Sequence, residues 1–112
     1  MVSERQACAV LKEVFERAGY TIAENVLFSE GGVSFTADGW DAAARVGYEF
    51  ISREADDRGD LSAMEVTELG RRLIDGEVFF FIVEQSQVAS TTDLEWSAAA
   101  FLDEIARRRT QP

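Results

Sequence analysis

A chain of 112 residues with 11 basic and 21 acidic side chains has a formal charge of −10. It is sized for one domain, and its field repels phosphate backbones, so nucleic acid is not the expected partner. The single cysteine excludes an internal disulfide framework, and the absence of histidine removes the commonest general base.

The 46% hydrophobic and 29% charged content describes a globular chain, not a disordered one. At this length a chain buries somewhat over ~60% of its unfolded surface, enough for one core without metal or disulfide staples. The N-terminal Met1-Val2-Ser3-Glu4-Arg5-Gln6 lacks a basic stretch followed by an apolar one. No apolar run approaches the ~20 residues of a membrane span. The expectation is a single cytoplasmic domain over 1–112, away from membranes.

Ser3-x-x-Gln6 fits a capping box and opens a helix whose apolar stripe is Ala7, Val10, Leu11, Val14, Phe15 and Ala18, closed by Gly19. Tyr20, Ile22, Val26 and Phe28 alternate as a strand, and Ser29-Glu30-Gly31-Gly32 reads as a hairpin turn. In the next strand Val33, Phe35 and Ala37 form the apolar face, with Ser34, Thr36 and Asp38 opposite. In the third, Val46, Tyr48 and Phe50 alternate with Arg45, Gly47, Glu49 and Ile51.

A charged loop, 53–60, precedes a second capping box, Ser62-x-x-Glu65, and a helix through Val66, Leu69, Leu73 and Ile74 that Gly76 closes. Val78-Phe79-Phe80-Phe81-Ile82-Val83 is apolar on both faces and so should be covered on both sides. The helical crossover before it makes it parallel to a neighbour. After a polar loop, 85–91, Thr92-x-x-Glu95 opens a last helix through Ala98, Phe101, Leu102 and Ile105, ending in Arg107-Arg108-Arg109. The fold class is α/β of the mixed α+β kind, order α-β-β-β-α-β-α, with a four-stranded mixed sheet, three helices and a polar face open near Asp38 and Glu49.

Asp38 ends the second predicted strand and Glu49 lies within the third, a placement that often builds a two-carboxylate metal site. With the element order, it resembles the core of the PD-(D/E)xK nuclease superfamily, as in small bacterial proteins with such a core. The resemblance implies that Asp38 and Glu49 hold Mg²⁺ or Mn²⁺ and that a lysine two residues after the Glu assists the attacking water. Here that position is Ile51, and Ala37 stands where the family often has proline. Lys12 is the only lysine available to be recruited instead, and Glu13 joins the acids if its helix is turned to suit. Arg45 shares a strand face with Glu49, but a guanidinium stays protonated and is a poor base. The structural alternative makes Asp38-Gly39 a turn and Glu49 a solvent-facing residue paired with Arg45 or a cross-strand neighbour.

Asp56-Asp57-Arg58-Gly59-Asp60 fails the EF-hand spacing, with Arg58 at the third loop position and Leu61 at the glycine position. Cys8 reads as a buried thiol. Trp40 is either folded over the sheet end or exposed as a partner anchor, whereas Trp96 reads as structural. The favoured function is a non-enzymatic acidic domain that binds a protein partner or forms a homodimer, without a cofactor. The alternative is a metal-dependent nuclease using Asp38, Glu49 and Lys12.

Overall fold

The computed structural model describes residues 2–52 and 63–110, the side chains of Ala63, Leu73 and Ile74 excepted. The Ser62 capping box and the acidic run 56–60 therefore lie outside the described residues. The elements are α1 (Glu4–Arg17), β1 (Ala23–Glu30), β2 (Val33–Asp41), β3 (Val46–Ile51), α2 (Ala63–Ile74), β4 (Phe79–Glu84) and α3 (Thr91–Thr110), with a 3₁₀ turn at Gln85–Gln87. This is the expected α-β-β-β-α-β-α order. The strands form one mixed sheet, β1-β2-β3-β4, antiparallel except for the parallel β3–β4 pair. Among the described residues no helix is long and apolar enough to cross a membrane.

Local chemistry sets most boundaries. Ser3 and Gln6 exchange capping-box hydrogen bonds of 3.0 and 3.1 Å. At the other end of α1, Gly19 takes φ +104°, its N–H reaches Glu16 O, and Tyr20 N–H reaches Phe15 O. That is a Schellman motif, and the Phe15–Tyr20 ring contact at 6.1 Å is its usual hydrophobic companion. Gly31 and Gly32, both with positive φ, make the tight β1–β2 turn. A Cβ on Gly31 would also collide with the Arg72 guanidinium that lies over it. The last helix starts earlier than expected. Ser90 Oγ accepts from Asp93 N, and Ser90 O from Leu94 N, so Thr92 lies inside α3 and is not its cap.

The helices cover the sheet unevenly. Ala7, Leu11 and Phe15 of α1 join Leu94, Ala98, Leu102 and Ile105 of α3 over Val46, Tyr48 and Phe50. On the other face Leu69 of α2 packs with Phe28, Phe35, Trp40 and Phe80. The consecutive phenylalanines of β4 divide between the layers, Phe79 to the first and Phe80 to the second, as a strand covered on both sides requires. β3 is buried at five of its six residues, not half covered as its alternation suggests.

The apolar faces of β2 and β3 point to opposite sides of the sheet. Ala37 and Trp40, three residues apart, both join the α2 cluster, so the side-chain alternation of β2 slips between them. The register places Asn25 of β1 opposite Asp38, and Asn25 adopts φ +54°. Beyond it β1 also changes face: Val26 and Phe28 pack toward α2, while Glu24 meets Lys12 of α1 at 3.2 Å. Asn and Asp suit this site because they tolerate left-handed or irregular backbone and satisfy nearby main-chain groups with their side chains.

Candidate functional site

Asp38 and Glu49 meet where β2 and β3 part. The paired residues are Gly39–Tyr48, Trp40–Gly47 and Asp41–Val46, and the ladder stops there. Past its end, Asp38 N–H donates to Glu49 Oε1 at 3.2 Å and Phe50 N–H donates to Asp38 Oδ2 at 2.7 Å. Each carboxylate thus takes the place of a main-chain carbonyl on a diverging strand. Glu49 is 2% exposed, so the open polar face expected here is closed. Asp38-Gly39 is mid-strand and not a turn; the β2–β3 connection is 42–45, braced by Arg45 N–H to Asp41 O.

Two glycines next to this fork each lie across from an aromatic ring. A Cβ on Gly39 would fall 2.2 Å from the Tyr48 ring, and one on Gly47 would fall 2.7 Å from Phe80 and 2.8 Å from Trp40. Glycine is needed because rings from neighbouring strands fill the space a side chain would take.

Among the described residues the surroundings supply no activated nucleophile or free lysine. Burial first, then the charges of Asp38, Glu4, Glu49 and Glu24, push the Cys8 thiol up to about 12. At neutral pH it is a thiol, a poor nucleophile. Burial likewise raises the Tyr48 phenol, whose hydroxyl has no hydrogen-bond partner among the described residues. Lys12 is engaged by Glu24. Among the described residues no group of three or more Cys, Asp or Glu side chains is arranged to hold a metal ion. Of the three residues in the nuclease reading, the fold brings Asp38 and Glu49 together and pairs Lys12 elsewhere.

Arg45 turns from Glu49 to a different acid. It forms a two-pronged ion pair with Glu30 at 2.7 and 2.6 Å and lies 5.7 Å from the Trp40 ring centre. The Arg45 hydrogen bond outweighs desolvation and holds the Glu30 carboxyl below its ordinary range. Trp40 itself is 7% exposed and stacks on Phe80 at 4.9 Å, which removes it as a surface anchor.

The other tryptophan is the exposed one. Trp96 is 77% exposed, against the expectation that it is structural. It forms one wall of a groove of about 570 Å³ between α1 and α3, whose apolar lining is Val14, Ala18, Ala99, Ala100 and Leu102. Arg17, Glu95 and Asp103 complete the lining. Arg17 is paired with Glu13 one helical turn back. Glu95 and Asp103 have no hydrogen-bond or ion-pair partner among the described residues. The signal was present in the sequence. The buried positions of α3 are Leu94, Ala98, Leu102 and Ile105, and Trp96 lies off that stripe with Ala99 and Ala100 beside it.

No protein-family model, curated protein or solved structure matches this chain.

Proposed function

We propose that this chain is a protein-binding domain whose docking surface is the α1–α3 groove beside Trp96. One observation carries the reading: a large aromatic side chain, 77% exposed, stands beside an apolar floor of Val14, Ala18, Ala99, Ala100 and Leu102. Tryptophan is enriched among interface hot spots, and covering so much exposed apolar area would stabilise a complex. The subtractive argument points the same way, since the chain has no histidine and its one thiol is held protonated.

The test is Trp96→Ala. An exposed side chain of this kind contributes little to folding, so the variant should melt within about 0.5 kcal/mol of the parent. Proteins retained from extract by the parent should be lost by the variant, and cross-links from them should fall on 14–18 and 95–103. Equal retention by both would sink the proposal.

The second reading, a nuclease of the resembling family, draws on the adjacency of Asp38 and Glu49. A Mg²⁺ or Mn²⁺ ion there would compete with the main-chain N–H groups of Asp38 and Phe50 for the same oxygens. Lys12 could assist only by leaving Glu24. We expect millimolar Mg²⁺ or Mn²⁺ to leave the melting temperature unchanged. A rise that Asp38→Ala abolishes would instead favour the nuclease.

A further inference from the structure

We propose that the occupant of the α1–α3 groove is a cationic amphipathic helix of a partner protein, an inference that rests on the docking surface assigned to Trp96. The shape argument comes first. The groove runs between two helices, and its apolar floor is framed by charged rims. This is the setting in which a helix lays an apolar stripe into a groove and keeps its charges at the edges.

Charge then selects the kind of helix. The one basic rim residue, Arg17, already has Glu13 as its partner, whereas Glu95 and Asp103 are unpaired among the described residues. The basic end of α3 offers no counter-charge. Arg107 and Arg108 both pair with Glu104, and Arg109 donates to Ala44 O and lies 5.0 Å over Phe79. The rim therefore presents uncompensated negative charge around an apolar floor, on a chain whose total charge is −10. A second copy would bring the same two acids and another −10 to the contact, and like charges facing each other are unfavourable. A basic helix satisfies both acids of the α3 rim at once.

The probe is a synthetic 18-residue helix of Leu, Ala and Lys, with Leu on one stripe and Lys flanking it. Its control carries Glu for every Lys. Neither contains tryptophan, so acrylamide quenching reports Trp96 as the accessible indole, with Trp40 buried. The Lys peptide should protect Trp96 and bind at least tenfold more tightly than the Glu peptide, and its affinity should fall from 50 to 500 mM salt. The double variant Glu95→Lys with Asp103→Lys keeps the apolar floor and should reverse the preference. Equal protection by both peptides would overturn the cationic assignment and leave the docking surface standing. Protection that instead rises with protein concentration, alongside a doubled mass in light scattering, would make the occupant a second copy, overturning the heterotypic proposal only. No protection under any of these conditions overturns both the occupant and the surface.

Discussion

Asp41 gathers the main-chain N–H groups of Thr21, Ala43 and Ala44, with Thr21 and Ala44 at 2.9 and 3.0 Å. Burial alone would raise its carboxyl pKa; these N–H groups, helped by the Arg109 charge, reverse that and hold it below the ordinary aspartate range. The folded carboxyl therefore titrates below the unfolded one. Its stabilisation is complete above the unfolded pKa and is lost as pH falls through the folded value. Asp41→Asn keeps the shape but not the charge, and should cost about 1–3 kcal/mol at pH 7 in urea denaturation. The gap between parent and variant should narrow below about pH 4. A gap that does not change with pH would assign the loss to geometry. The Thr21 partner was not legible from Asp41 itself, because it lies 20 residues away in sequence.

Between elements, the fork at Asp38 and Glu49 makes a sharper claim. If Glu49 serves as an acceptor that replaces a missing rung, Glu49→Gln should be mild, because its amide oxygen can still accept from Asp38 N–H. Glu49→Ala leaves that N–H without this acceptor in a closed position and should lose about 1–3 kcal/mol in the same urea measurement. A Gln variant as damaging as the Ala variant would show that the charge matters and the acceptor does not. The ends of α1 and the tight turn at Gly31-Gly32 were readable because caps and turns are local chemistry. At α3 the Thr92-x-x-Glu95 pattern points two residues too far along, because Ser90 caps the helix. The slip of alternation at Asp38 could not be read at all. It depends on Asn25 across the β1–β2 pair and on the side-chain rungs from β3, and a one-residue change of parity reverses every face beyond it. The same loss of parity explains why Trp40 packs in the α2 layer with Ala37.

Across the whole molecule, the surplus of acid sets the sign of the salt dependence. Among the described residues the basic side chains that pair do so over short distances: Arg17 with Glu13, Arg45 and Arg72 with Glu30, Arg71 with Glu68 and Asp75, Lys12 with Glu24, and Arg107 and Arg108 with Glu104. Apart from the part-buried Glu30 pairs, these are exposed and contribute at most about 1 kcal/mol each, so screening them costs little. The uncompensated charge of −10 acts over a longer range. At 10 mM salt the Debye length is about 30 Å, comparable with a molecule of 42 × 31 × 22 Å, and at 150 mM it shrinks to about 8 Å. Added salt therefore removes more repulsion than attraction within the folded chain, and its melting temperature should rise from 10 to 150 mM NaCl. The Lys-peptide contact at the Trp96 groove depends on attraction between opposite charges, and should weaken over the same range. Calorimetry and peptide titration on one preparation test these opposed signs together. A melting temperature that falls with salt would mean that the local pairs outweigh the net charge, and would remove the electrostatic ground for preferring a basic partner to a second copy.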